Sequence, residues 1–110
     1  MAWALFATKD PAALGYAEQA HQVSPGDAAV ADTLGQILVA KGDLARGLEI
    51  LQKAVAAAPA DREIRYHLAQ ALAKSGDKGK AIGQLEIVVG SGAKFAQETE
   101  AVALLKQLRQ

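Results

Sequence analysis

Two histidines, a pair of neighbouring glutamates and three serines are the side chains whose types could carry metal, proton-transfer or nucleophilic chemistry in this chain. His21 and His67 lie in separate segments, and no cysteine is present to complete a thiolate site, so both read as surface or groove histidines rather than metal ligands. Glu98 and Glu100 stand two apart, which on a helix aims them in different directions. They suit the positive end of a helix dipole better than an acid/base pair. Ser24, Ser75 and Ser91 all fall in turn-like segments without a His and Asp in triad arrangement. Ser91 sits in Gly90-Ser-Gly92, and a lone Gly-Ser-Gly reads as a loop rather than a phosphate cradle. The sequence therefore assigns no catalytic residue, no metal ligand and no cofactor.

The elements that hold these residues are set by a repeat. Residues 28–61 and 62–95 carry one pattern at a spacing of 34, which superposes Leu34 on Leu68, Gln36 on Gln70 and Leu38 on Leu72. The same shift superposes Gly42-Asp43 on Gly76-Asp77, Leu51 on Leu85 and Val55 on Val89. Close replacements are Gly35 over Ala69, Gly47 over Ala81 and Leu48 over Ile82. A fixed period of this size marks stacked helical units, each covering its neighbour's apolar face.

Each copy reads as two helices. Asp27 caps a first helix from about Ala28 to Ala40, whose apolar face is Val30, Leu34, Ile37, Leu38 and the stem of Lys41. Gly42 supplies a left-handed stop, and Asp43 caps a second helix from about Leu44 to Ala57 with Leu48, Leu51 and Val55 inward. Small Gly47 and Ala54 lie where two backbones approach, and Pro59 closes the unit. The next copy repeats this with Asp61, a helix from about Arg62 to Lys74 and an apolar face of Ile64, Leu68, Ala71 and Leu72. Gly76-Asp77 turns into a helix from about Lys78 to Val89, which Gly90-Ser-Gly92 breaks. A last helix, about Ala96 to Arg109, turns Ala101, Val102, Leu104, Leu105 and Leu108 inward and polar groups to water. Upstream, Ala13, Ala20 and Pro25 stand 34 residues before Gly47, Ala54 and Pro59, so 11–23 is the second helix of an earlier copy. Its partner is the segment holding Trp3, Leu5 and Phe6, joined through Thr8-Lys9-Asp10-Pro11.

The expected fold is thus all-α: a solenoid of about two and a half antiparallel hairpins in one domain, closed by a C-terminal capping helix. Its parts are a partial first repeat (1–26), a second (27–60), a third (61–92) and a cap (93–110), read as a piece of a longer protein. The charges balance at 12 basic and 12 acidic residues, without the basic excess of a nucleic-acid binder. No apolar run approaches the roughly 18 residues of a membrane span. The opening residues 1–7 lack a basic leader and a cleavage site, against a signal peptide. Trp3, Leu5 and Phe6, short of cover, are candidates for self-association.

These offsets resemble the tetratricopeptide repeat. A large residue followed by a small one is matched by Leu34-Gly35 and Leu68-Ala69, the Gly-Asp turn by both copies, and the closing proline by Pro25 and Pro59. Small residues of the second helix are matched by Gly47 with Ala54 and by Ala81 with the larger Val88. The departures are Ala31 and Arg65, where an aromatic is common, and Ala93 in place of a third proline. More narrowly, 32–38, 63–74 and 100–108 are similar to the C-terminal repeats of tetratricopeptide lipoproteins from bacterial exosortase (PEP-CTERM) systems, which accompany exopolysaccharide production. That likeness implies a parent exported to the periplasm or cell envelope.

The family resemblance implies a concave groove lined by the first helices, at Ala29, Asp32, Thr33, Gln36 and Val39, then Glu63, Tyr66, His67, Gln70 and Lys74. Tyr66 is expected there as an exposed aromatic anchor, or else packed across the groove on Gln36 or Thr33. The basic and amide cluster with which some relatives hold a terminal carboxylate is largely missing. Gln36, Gln70, Asp32 and Glu63 suit hydrogen bonds to a peptide backbone or to sugar hydroxyls. The expectation is a non-catalytic scaffold binding a peptide or protein segment, with a saccharide-contacting module or a purely structural end piece as alternatives.

Overall fold

A computed structural model describes residues 12–90 and 98–109, with side-chain surroundings from Leu14 onward. Its described residues form six helices: α1 Ala12–Val23, α2 Ala28–Ala40, α3 Leu44–Ala57, α4 Arg62–Lys74, α5 Lys78–Gly90 and α6 Glu98–Leu108. The fold is all-α and solenoid-like.

Aspartates start four of the helices. Asp27 accepts from the amides of Ala29 and Val30 at 3.0 and 3.3 Å, and Asp43 from Arg46 at 3.3 Å. Asp61 and Asp77 do the same for Ile64 and Lys80, each at 3.2 Å. Each cap satisfies an amide the helix leaves orphaned and contributes about 1 kcal/mol. Glycines end α2 and α4. Gly42 and Gly76 adopt φ of 95° and 90°, where a Cβ would clash, while the following aspartate amides reach back to Leu38 and Leu72 at 2.9 and 3.0 Å. Turn and cap residues alternate, so each hairpin folds back on itself.

The helices pack in order along the chain, and α2 also meets α4 directly. The core advances with them in three apolar clusters. The first joins Ala17 of α1, Ala31, Leu34, Ile37 and Leu38 of α2, and Ile50, Ala54 and Ile64 beyond. The second joins Leu51 to Leu68, Ala71, Leu72 and Ala81. In the third, Tyr66 and Ala69 pack with Leu85, Val88, Ala101 and Leu105. No charged side chain is buried among the described residues.

Within the first complete hairpin, α2 and α3 touch backbone to backbone. A Cβ built on Gly35 would stand 2.5 Å from Leu51 Cγ, and one on Gly47 2.6 Å from Val39 Cγ2 and 3.1 Å from the Gly35 carbonyl oxygen. The matching places on α4 and α5 hold Ala69 and Ala81, both fully buried.

Several inward positions differ from the sequence expectation. Ala31, Ile50 and Tyr66 are buried, whereas Lys41 is exposed and Val30, Leu48 and Val55 are half-buried. Ala31 and Ile50 escape notice in the sequence because a helix buries a stripe wider than its leucines alone. α5 runs one residue beyond the expected Val89, through Gly90. The segment with Trp3, Leu5 and Phe6, the turn at 8–11, Ser91-Gly92 and the start at Ala96 lie outside the described residues.

Two glycine substitutions should therefore act in opposite directions. Gly83 faces open space where a methyl group would stand, so Gly83→Ala should stabilise by up to about 1 kcal/mol through helix propensity. Gly47→Ala gains the same propensity but must push apart two packed backbones, an overpacking penalty of about 1–3 kcal/mol. Urea unfolding of both variants should raise one midpoint and lower the other.

Candidate functional site

The direct meeting of α2 with α4 creates the site. Asp32, Gln36 and Val39 follow at helical spacing on one helix, and His67, Gln70 and Lys74 on the next, so each set forms a single stripe. Between the stripes lies a cleft of about 190 Å³, lined by Gln36, Val39 and Ala40 of α2 and by His67, Gln70, Ala71 and Lys74 of α4. Leu51 reaches it from α3. The lining is mixed: an apolar surface from Val39, Leu51 and Ala71, with two amides, an imidazole and an ammonium around it.

Its polar groups are held in place by specific partners. His67 Nδ1 lies 2.9 and 3.0 Å from the two carboxylate oxygens of Asp32, and both side chains are only 13% exposed. Gln36 Nε2 donates to the same carboxylate at 3.2 Å. Gln70 Nε2 donates to the Tyr66 hydroxyl at 3.1 Å. A carboxylate accepting from two directions is well satisfied, and it ties successive repeats together across the stripe.

Tyr66 corrects the sequence expectation. It is not an exposed anchor; it is 5% exposed and packs on α5 and α6, beside Leu85, Val88, Ala101 and Leu105. The capping helix covers the ring, and its hydroxyl turns back to Gln70. Burial, and secondarily the negative charge of Glu100, push its phenol above the ordinary range.

The other expected groove residues divide. Gln36, Val39, His67, Gln70 and Lys74 do line the cleft, and Asp32 stands behind His67. Thr33 donates its hydroxyl to the Ala29 carbonyl at 3.0 Å, and Glu63 is exposed in the first turn of α4. Neither lines the cleft. Sequence reasoning missed Ala40, Leu51 and Ala71, which line the cleft without polar atoms to mark them. It also missed the Asp32–His67 contact, whose separation of 35 is one more than the repeat period. That offset is its signal: neighbouring positions on successive first helices.

Arg65 fills an expected aromatic place differently. Its guanidinium donates to Gln84 Oε1 at 2.7 Å and to the Pro59 carbonyl at 2.8 Å, joining α4 to α5 and to the preceding turn. Among the described residues no three acidic or histidine side chains gather as a metal site, and no helix is long and apolar enough to cross a membrane.

The fold agrees with what the chain is similar to. The Tetratricopeptide repeat family model matches residues 33–94, more than half the chain, and the chain belongs to that family. Among solved structures it is similar to the type III secretion translocator chaperone SycD of Yersinia enterocolitica. The TM-score is 0.81 at 14% identity, covering 98% of this chain and 81% of that one, a likeness of fold. No curated protein matches the chain.

Burial of Tyr66 gives a stability test. Because its folded pKa is raised, its contribution is full below the ordinary phenol value of about 10 and is lost as pH climbs through the raised value. Unfolding free energy should thus fall above about pH 10, and less steeply in Tyr66→Phe. Tyr66→Ala should destabilise by about 3 kcal/mol, read by denaturant unfolding at neutral pH, as for a core aromatic.

Proposed function

We propose that this tetratricopeptide repeat chain is a non-catalytic interaction module that holds a peptide or protein segment along the face formed by α2 and α4. The observation that carries this reading is the cleft itself. Its apolar surface at Val39, Leu51 and Ala71 can take one aliphatic side chain, and Gln36, His67 and Gln70 lie within the same opening to bond the segment's backbone. Rigid stacked helices hold these groups ready, so little ordering entropy opposes docking. A structurally similar protein named as a translocator chaperone supports a protein ligand.

The wider setting rests on the sequence. Similarity of 32–38, 63–74 and 100–108 to exosortase-system lipoprotein repeats favours a role in envelope exopolysaccharide or protein-sorting machinery. A saccharide ligand, meeting the same amides through its hydroxyls, is the competing occupant. Self-association through Trp3, Leu5 and Phe6 is a separate expectation, read by sedimentation at rising concentration.

Titration of the isotope-labelled chain with peptide pools and with oligosaccharides, followed by amide chemical shifts, tests the assignment. Peptides should perturb residues 36–40 and 67–74. Gln70→Ala should weaken a bound peptide about threefold to tenfold, the effect of one lost hydrogen bond, whereas exposed Gln52→Ala on α3 should leave affinity unchanged. Shifts produced by oligosaccharides alone would reassign the ligand. Silence from both would leave this stretch as an end piece of the superhelix.

A further inference from the structure

We infer that this chain associates with copies of itself end to end, the lysine edge of one copy docking on the carboxylate edge of the next. Its 12 basic and 12 acidic residues cancel in number but not in place. The packing shows where they go. Asp32 meets His67, while Val39 and Ala40 share the cleft with Lys74, so α2 and α4 run side by side in one direction. Tyr66 packs with Ala101 and Leu105, and Leu108 joins the cluster of Leu72, so α6 runs the same way. These three helices begin at one edge of the molecule and end at the other, and α5 begins where α4 ends.

The charges are sorted between those edges. Lys41 follows α2, Lys74 ends α4, Lys106 lies in the last turn of α6, and Lys78 opens α5. All four are exposed, and no ion pair engages them among the described residues. Arg46, Lys80 and Arg109 stand near them, each already holding a carboxylate. Asp43 and Asp77 are there too, both engaged as caps. The opposite edge carries Asp27, Asp61, Glu63, Glu98 and Glu100, at the starts of α2, α4 and α6. Its cations are Arg62 and Arg65, and Arg65 is turned onto Gln84 and Pro59.

Helix dipoles alone do not produce this sorting. They favour cations at the ends of α2, α4 and α6, yet Lys78 stands at the start of α5, where the amide end of a helix disfavours it. Thirteen helical residues separate the edges by about 20 Å, against a screening length of about 8 Å at physiological salt. An approaching copy therefore meets one edge rather than a neutral average. With no net charge, nothing repels it from further away. Single exposed ion pairs contribute little, but several in register decide which edge meets which. The contact joins unlike surfaces, so it can repeat from copy to copy.

Sedimentation of the chain at rising concentration reads the contact. Mass should increase with concentration at about 0.01 M salt, and the association constant should fall at least about tenfold by about 1 M, as the screening length shrinks from about 30 to about 3 Å. The triple variant Lys41→Glu, Lys78→Glu, Lys106→Glu has two acidic edges, and Glu63→Lys, Glu98→Lys, Glu100→Lys has two basic ones. Each should be monomeric alone with its helical signal kept, and an equimolar mixture of the two should associate again. The salt series on the unaltered chain reads the same contact whether or not the variants fold. Association that persists or strengthens at high salt would place the contact on apolar residues such as Trp3, Leu5 and Phe6 and overturn the inference. So would a mixture of folded variants that stays monomeric. A chain monomeric at low salt that nonetheless binds polyglutamate would give the lysine edge another acidic partner, and self-association would fall.

Discussion

The close crossing of α2 on α3 is the constraint on which the rest of the molecule depends. Gly35 and Gly47 let the two backbones touch, and Leu51 fills the space a side chain on Gly35 would need. That contact fixes the hairpin angle, which places α4 against α3 and brings α2 and α4 side by side. Had larger residues separated the pair, Leu51 would not reach both its own cluster and the cleft. The next hairpin has Ala69 and Ala81 at the same places, both fully buried. Size at two positions, more than hydrophobicity, sets the architecture.

Much of this was legible in the sequence because its causes are local. Aspartate caps, left-handed glycines and a proline stop each act within a few residues, so α2, α3 and α4 begin and end where those residues require. The repeat then supplied the long-range arrangement, since copies in step can bury their stripes only by stacking. Tyr66 was not legible, because its surroundings come from outside its own repeat. Position alone puts it on the groove stripe; the capping helix, with Ala101 and Leu105, takes it away. A residue packed beneath a helix that departs from the repeat is judged by that helix and not by the pattern.

The cleft shows the same division. Its helix positions follow from spacing, but its chemical character comes from pairings between side chains. Asp32 engages both Gln36 and His67, and Tyr66 engages Gln70, so three polar side chains of the lining each make a bond within the protein. Two residues that do not line the opening thereby hold three that do. Counting polar residues along a groove would miss this; following each donor to its acceptor reveals it.

The three apolar clusters each draw on three or four successive helices and follow one another along the chain, so cohesion is passed on rather than pooled at one centre. Under tension applied at its two ends, such a chain should peel one hairpin at a time instead of rupturing all at once. Short sequence separations also mean that little loop closure precedes the first rewarding contacts, which favours rapid refolding after each pull. The molecule is thus built as a spring whose links can yield singly and re-engage.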